Sequence, residues 1–381
     1  MAVEISPEAA ALFTLERHHL IERAPPGEAM KVVDDILGLN AQGALNFQIS
    51  LWNRVSDLDV GFIPKALFED RSLVRSWFMR NTVHIIPSKR FALFRRALEK
   101  SLMTEWNRWT VKTGTKKSED AWVPLYPQVL DVLEDEPLTL KQILEKVGWS
   151  GTGAQSRLHR LIREMSLRGL ICNARSSGPW YHNTEHAFSR VDRWLPMTDL
   201  HSISVEGALI NLAKMYLKTY GPASISDYAY WTGIRVQEAK PVFDSFSDSL
   251  AKVSISERKG ELLILVEDLQ TLLNTGGEPR NARLLPEFDA LIMGHKDKAR
   301  FLDPAVKTSV FLPLADVAAT IMVDGRVEGV WKMRKEKKSW RLELSPFKKF
   351  DEEERELVGE EVEGLREFTD FEIEEAWIEA R

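Results

Sequence analysis

This chain of 381 residues contains a single cysteine, Cys172, so no disulfide can form within it. It also lacks any apolar stretch near the length that crosses a bilayer, which predicts no membrane span. The N-terminal segment MAVEISPEAAALF has neither the basic start nor the long apolar block of an export signal. These absences predict a cytoplasmic protein in which Cys172 is a small buried hydrophobe within the strand-like segment GLICNA.

The sequence has no local signature of the common enzyme classes. It contains no phosphate-binding glycine loop, no serine nucleophile elbow and no Cys-His zinc spacing. Asp289 lies near His295 and Arg300, but a metal site would need more ligands at a tighter spacing. We therefore expect a structural role for Asp289, and we predict neither a metal nor a cofactor.

Negative charge is concentrated at one end of the chain. The net charge is −6, but residues 351–381 hold 14 acidic and 3 basic residues, and the other 350 residues hold 43 acidic and 48 basic residues. Residues 1–350 therefore have a net charge of +5. This part of the chain can bind phosphates wherever Lys and Arg cluster on one face. The acidic tail carries apolar residues at helical spacing, which predicts a solvated helix with one packed face; a disordered arm is the alternative.

The middle of the chain predicts a winged helix. YPQVLDVLEDE and PLTLKQILEKVG predict two helices, with Thr139 near the cap of the second, and GAQSRLHRLIREMSLRGL predicts a longer third helix. LICNARSSGPWYHN then predicts a strand, a Ser-Gly-Pro turn and a second strand.

Two other segments repeat this order of elements. The segment from Val205 begins with the helix VEGALINLAKMYLKTYG, closed by Gly221, and ends with the hairpin LAKVSISERKGELLILV. Arg258 and Lys259 form the tip of that hairpin, where either a DNA contact or a solvated turn is expected. The N-terminal segment, to about Arg96, is a more divergent copy, with ILGLNAQGALNFQISLWNRV as its central helices and VRSWFMRNTVHIIP as its strand-like end.

The C-terminal segment differs from the three repeats. ATIMVDGRVEGVWKMRKEKKSWRLELSPF alternates apolar and polar residues in three strand-sized runs, joined by Asp-Gly and a Lys-rich turn. The predicted fold is α+β, with three tandem winged-helix domains, a small antiparallel β-barrel-like C-terminal domain and an acidic helical tail. The predicted boundaries are 1–115, 116–200 and 201–275 for the winged helices and 276–381 for the C-terminal domain with the tail.

Asn40 and Gln42 place two primary amides on either side of a small residue at the end of the apolar run ILGLNAQ. The ordinary interpretation is a helix or turn cap, because Asn and Gln side chains bond free backbone groups where a regular element stops.

Five segments, in order, resemble the AlkZ-like winged-helix proteins, a family that includes DNA glycosylases acting on alkylated purines and interstrand crosslinks. They are LGLNAQ, SWFMRNTVHIIP, YGPASISDYAYWTG, ARLLPEFDALIMGHKDKARFLD and VDGRVEGVWK. Together they cover most of the chain, from about residue 12 to residue 350.

The resemblance implies an active site in the first winged helix, where the family has a Gln-apolar-Gln or Gln-apolar-Asp triplet. Asn40 and Gln42 match its two polar positions, and Asn40 carries its amide one methylene closer to the backbone than the family's first Gln. The retained Gln42 is nearer the Gln-apolar-Gln branch, which is associated with crosslink resistance. A second Asn-apolar-Gln, Asn46 to Gln48, follows six residues later, and we prefer the first because LGL precedes it.

Two amides suit the hydrolysis of a glycosidic bond to an alkylated purine, because the leaving base is already cationic. An amide oxygen can orient the attacking water, and an amide nitrogen can bond a phosphate or sugar oxygen. The same groups are poor catalysts for normal nucleosides, which would protect undamaged DNA.

Cationic side chains provide the predicted DNA contacts. Arg80 and His84 resemble the family's Met-Arg-Gly-Thr-Leu-His strand motif, in which Asn81 here replaces Gly; a core ion pair and a structural histidine are the alternatives. Arg157, Arg160 and Arg163 share one face of the third helix of the middle domain and are predicted to meet phosphates or groove edges. A solvated basic face is the alternative.

We predict a monofunctional DNA glycosylase that needs no cofactor, acts on double-stranded DNA and is a monomer. One alternative is a non-catalytic winged-helix DNA-binding protein or regulator. The acidic balance favours another, a protein-interaction scaffold.

Overall fold

The structure is a computed structural model that describes residues 2–116, 118–176, 178–182, 186–256, 260–277 and 280–378. Helices and strands are mixed along the chain, so the predicted α+β class is confirmed. In these ranges no helix combines the length and the apolar character that crossing a membrane requires.

The N-terminal part of the chain alternates short helices with strands. α1 begins after Ser6, whose side chain accepts a hydrogen bond from the Ala9 N–H at 3.1 Å, and Pro7 occupies its first turn. The elements are β1 (Val3–Ile5), α1 (Pro7–Arg17), α2 (Ala29–Asp35), β2 (Leu39–Asn40), α3 (Ala44–Trp52), α4 (Phe62–Phe68), β3 (Leu73–Trp77), β4 (Val83–Pro87) and α5 (Phe91–Lys112). β3 and β4 confirm the extended structure predicted for VRSWFMRNTVHIIP.

The helical prediction for ILGLNAQ is wrong at its centre, where Leu39 and Asn40 form strand β2. Gly38 has φ +103°, and a Cβ there would lie 2.7 Å from the carbonyl oxygen of Ile85. Only glycine allows this conformation and this close approach. The backbone therefore leaves the helical path and pairs with β4.

The middle part contains the predicted helices. A capping box at Thr139 and Gln142 starts the second of them. The elements are α6 (Tyr126–Val132), β5 (Leu138–Thr139), α7 (Leu140–Lys146), α8 (Ala154–Leu167), β6 (Ile171–Ser176), β7 (His186–Arg190) and α9 (Val191–Trp194). The second strand begins at His186, later than the predicted WYHN, and Trp180 stacks on Phe371 with ring centroids 5.6 Å apart.

The third part begins with a long helix capped by Ser204. Its elements are α10 (Val205–Tyr220), α11 (Ile225–Thr232), α12 (Val236–Asp244), β8 (Leu250–Ile255), β9 (Glu261–Leu265) and α13 (Val266–Asn274). The strands β8 and β9 pair antiparallel, as expected for the predicted hairpin.

The C-terminal part confirms the three predicted strand runs as β13, β14 and β15. Its elements are β10 (Ala282–Leu285), α14 (Ala290–Met293), α15 (Lys307–Val310), β11 (Phe311–Leu312), β12 (Asp316–Val317), β13 (Ala319–Val323), β14 (Arg326–Lys335), β15 (Trp340–Pro346), α16 (Glu352–Thr369) and β16 (Ile373–Trp377).

The barrel-like description of this C-terminal domain is wrong, whereas the antiparallel pairing predicted for its three strand runs is confirmed. The strand order is β10-β13-β14-β15-β16, an open sheet whose ends do not pair with each other, and β16 lies parallel to β15. The acidic segment forms α16 and then this last strand. The helix α16 buries Val358, Val362 and Leu365. α16 returns the chain across the sheet, so the next strand can add in parallel.

Two sheets connect parts of the chain that are distant in sequence. A six-stranded sheet has the order β2-β4-β3-β6-β7-β5, and the pairing of Arg75 with Asn173 joins its two halves. A three-stranded sheet has the order β1-β8-β9, so the N-terminal strand lies beside the third part of the chain. β2 is an edge of the six-stranded sheet.

A buried ion pair holds α3 against the C-terminal part. Arg54 and Asp289 have no exposed side-chain surface and are joined by two hydrogen bonds, of 2.7 and 2.9 Å. Asp289 also caps α14 by accepting from the Leu291 N–H and accepts from the Ser50 hydroxyl. The structural role expected for Asp289 is confirmed.

Candidate active site

Asn40 and Gln42 lie where the edge strand β2 ends. The N–H of Ala41, between them, donates to the carbonyl of Val83 on β4 at 2.8 Å. Asn40 is largely buried, with 8% of its surface exposed, whereas Gln42 is exposed. The strand pairing therefore fixes the backbone of the triplet while Gln42 faces solvent.

The two amides bond to each other. The Nδ2 of Asn40 donates to the Oε1 of Gln42 at 3.1 Å, and the Gln42 N–H donates to the Oδ1 of Asn40 at 3.1 Å. Each oxygen keeps a second lone pair, and the Nε2 of Gln42 has no partner in the described ranges. Two acceptor sites and one donor group thus remain for water and substrate.

Arg75, which the sequence analysis did not identify, bonds the backbone between Asn40 and Gln42. Its Nη2 donates to the carbonyl of Ala41 at 3.0 Å. Burial lowers the pKa of Arg75 to about 10, and no ion pair to it is formed by the described side chains. A charged residue inside the apolar strand LVRSW was the available signal, since a buried arginine needs a specific partner.

His84 lies beside Asn40, because the two residues are direct partners in the β2–β4 pairing. Its Nδ1 lies 3.0 Å from the carbonyl oxygen of Thr82. Burial, together with the charge of Arg80, lowers the pKa of His84 to about 3. A neutral ring offers a DNA phosphate no positive charge.

Arg80 contacts both the third part and the C-terminal part of the chain. Its Nη1 donates to the carbonyl of Met293 at 3.3 Å, and its guanidinium carbon lies 5.3 Å from the ring centre of Tyr230. The Nζ of Lys298 lies 4.4 Å from the centre of the same Tyr230 ring. Burial lowers the pKa of Lys298 to about 7.

The three arginines of α8 are not equivalent. Arg157 is exposed, with its guanidinium carbon 4.6 Å from the ring centre of Trp149, and Arg160 is half-buried. Arg163 faces inward, because its Nη2 donates to the carbonyl of Asn81 at 2.9 Å. Burial lowers the pKa of Arg163. Arg157 is thus the most accessible of the three, while Arg258 and Lys259 lie outside the described residues.

The second triplet has a different environment. Asn46 bonds the side chain of Glu287 at 3.3 Å, and Gln48 is fully buried on α3 with its Nε2 donating to the carbonyl of Val60. Its two amides do not bond each other. This difference supports the choice of the first triplet.

No group of three or more His, Cys, Asp or Glu side chains within the described ranges could hold a metal ion. The polar groups at the end of β2 are neutral amides beside a neutral imidazole. Such groups can hold and orient a water molecule.

The chain belongs to the AlkZ-like DNA glycosylase family. The sequence profile described as DNA glycosylase AlkZ-like matches residues 33–368, which confirms the resemblance and the prediction of a DNA glycosylase. A curated relative, the interstrand DNA cross-link repair glycosylase of Streptomyces sahachiroi, is 24% identical over 331 residues, which are 84% of this chain and 85% of the relative. The solved structure of Streptomyces sahachiroi DNA glycosylase AlkZ has the same fold, with a TM-score of 0.82 and 21% identity over 99% of this chain and 100% of that chain.

Proposed function

We propose that this glycosylase hydrolyses the N-glycosidic bond of cationic alkylated purines in duplex DNA, including purines held in interstrand crosslinks. The observation that carries the proposal is the pair of amides at the end of β2, Asn40 and Gln42, which leaves two acceptor sites and one donor group unused. The name of the Streptomyces sahachiroi relative supports the crosslink as a substrate.

The amides would act by orientation. A water that donates to the Oε1 of Gln42 and the Oδ1 of Asn40 is held with a lone pair free to attack the sugar. The bond to a cationic base breaks without an added proton, because the departing electron pair neutralises the base. An unmodified purine would leave as an anion, so the same site would hydrolyse it poorly.

The proposed DNA contacts combine an exposed arginine with the predicted winged helices. Arg157 on α8 can meet a phosphate, and Arg160 lies one turn further along the same helix. We propose that the three helix-and-strand units are winged helices with the predicted boundaries, and that the protein acts as a cytoplasmic monomer.

The direct test is base release from defined duplexes. Incubation with DNA that carries N7-methylguanine, or a nitrogen-mustard crosslink, followed by heating in alkali should give strand breaks at the lesion. Undamaged duplex should give none. Tight binding without any base release would instead support the non-catalytic DNA-binding alternative. If the protein neither binds duplex DNA nor releases base, the protein-interaction scaffold would be supported.

Duplex affinity should fall steeply with salt, because phosphate contacts release counterions. Replacing Arg157 with alanine should lower the slope of log affinity against log salt by about 1, roughly equally for damaged and undamaged DNA. Fluorescence anisotropy between about 50 and 200 mM salt measures this slope.

The matched control is Arg341→Ala, on β15 in the C-terminal sheet, where the guanidinium pairs with Glu343 at 3.3 Å. An unchanged slope in the Arg157→Ala protein would remove α8 from the DNA interface.

A further inference from the structure

A row of three polar side chains crosses one face of the six-stranded sheet. Asn40 on β2 pairs with His84 on β4, and His84 pairs with Ser76 on β3. Directly paired residues project from the same face, with Cβ atoms about 4.5–5.5 Å apart. His84 therefore stands next to the first amide of the site.

The hydrogen bond at Nδ1 determines which ring nitrogen of His84 carries the hydrogen. The carbonyl oxygen of Thr82, 3.0 Å away, can only accept, so Nδ1 must donate. In the neutral ring Nε2 then has a lone pair and no hydrogen. His84 thus presents an acceptor at Nε2.

That acceptor is unused and reachable. Nε2 has no hydrogen-bond partner within the described part of the chain, and it is not among the unpartnered polar atoms that are shut off from solvent. The residue as a whole is only 5% exposed. The small accessible area of His84 therefore includes Nε2, on the strand next to Asn40.

We propose that His84 is a catalytic residue whose Nε2 accepts a hydrogen bond, and then a proton, from the water held by Asn40 and Gln42. This rests on the proposed glycosylase function. The water oxygen forms a bond to the anomeric carbon, and the bond from that carbon to the base nitrogen breaks. Its electron pair leaves with the cationic base, which becomes neutral. The proton lost by the water passes to Nε2 and then to solvent.

A weak base is sufficient for this step. Water that has bonded to a cationic sugar carbon is a strong acid, so even an imidazole of low basicity takes its proton. The groups facing His84 are the amide of Asn40, the hydroxyl of Ser76 and the guanidinium of Arg80. Among these groups of the described residues, Arg80 carries a charge, and this charge favours the neutral ring. Nε2 therefore stays available throughout the neutral and mildly acidic pH range.

Proton acceptance by His84 replaces the DNA contact predicted for this residue. Variants of His84 can distinguish the two roles. His84→Asn keeps a donor for Thr82 but has no atom at the position of Nε2. His84→Gln restores a polar atom there that can orient water but cannot take a proton. His201→Gln is the control, since His201 is exposed in a turn far along the chain.

Single-turnover base release from an N7-methylguanine duplex, measured from pH 6 to 8, tests the proposal. We expect both His84 variants to lose about 10² in rate, the low end of the range for a positioned proton acceptor because the ring is a weak base, with duplex affinity and the unfolding midpoint close to those of the unmodified protein. The rate of the unmodified protein should not fall between pH 8 and pH 6, where the protein stays folded, and His201→Gln should match it.

A His84→Gln protein with a rate within threefold of the unmodified one would overturn proton transfer to Nε2. A loss confined to duplex affinity would also overturn it and return His84 to DNA binding. If His84→Asn does not fold, His84→Gln decides alone. No base release by the unmodified protein would overturn the proposed function itself, which is a distinct result.

Discussion

Replacing Gln42 with alanine is expected to abolish base release while the protein stays folded and still binds duplex DNA. The side chain of Gln42 is exposed, and within the described ranges its one hydrogen bond is the bond from Asn40 at 3.1 Å. Its removal deletes an acceptor for the water and frees the Asn40 amide to rotate. Loss of an orienting group of this kind costs about 10² in rate.

Single-turnover base release measures the loss, and anisotropy with the same duplex measures binding. The matched control is Asn46→Ala, because Asn46 belongs to the second triplet and bonds Glu287 on the surface. Asn46→Ala should release base at the normal rate. Equal activity of the Gln42→Ala protein would show that the pair at the end of β2 does not place the water.

The second large effect is a loss of stability in mild acid, caused by buried neutral histidines. Burial lowers the pKa of His18, His84 and His295 below the ordinary value of 6.5. As the pH falls below about 6.5, the unfolded chain binds protons at these positions and the folded chain does not. Each histidine then costs about 1.4 kcal/mol of unfolding free energy per pH unit.

Three such groups give a slope of about 4 kcal/mol per pH unit between roughly pH 6 and pH 4. A typical total stability is about 5–15 kcal/mol, so we expect unfolding well before the folded-state pKa of about 3 for His84 is reached. The pKa of Asp227 is lowered although its burial acts in the opposite direction, because hydrogen bonds from Ser224 and from the Lys296 N–H favour the carboxylate. The stabilisation by the ionised Asp227 is lost as the pH falls below about 4, so Asp227 also makes the protein less stable in acid.

Urea unfolding at several pH values between 4.5 and 7.5 measures this slope. His18→Phe is the informative variant, because neither ring nitrogen of His18 has a hydrogen-bond partner and the ring packs 4.8 Å from that of Tyr220. Phenylalanine keeps that contact and cannot be protonated, so the slope should fall by about one third. An unchanged slope would mean that His18 is already charged in the folded protein.

The site was only partly predictable from the sequence. Asn40 and Gln42 were identified from their place in LGLNAQ, but their shared hydrogen bonds depend on β2 pairing with β4, more than forty residues away. Arg163 was predicted to face DNA, and in the fold its guanidinium bonds the carbonyl of Asn81. Helical spacing shows which residues share a face and does not show what covers that face.

The sequence by itself determined the elements whose cause is local. The capping box at Thr139 starts α7, and the apolar alternation around the Asp-Gly turn produces β13 and β14, because caps, turns and side-chain periodicity act over a few residues.

The tertiary structure alone decided the edge strand at Asn40, the parallel strand β16 and the neutral state of His84. These depend on contacts between distant segments and on burial, which sets both the available partners and the cost of charge.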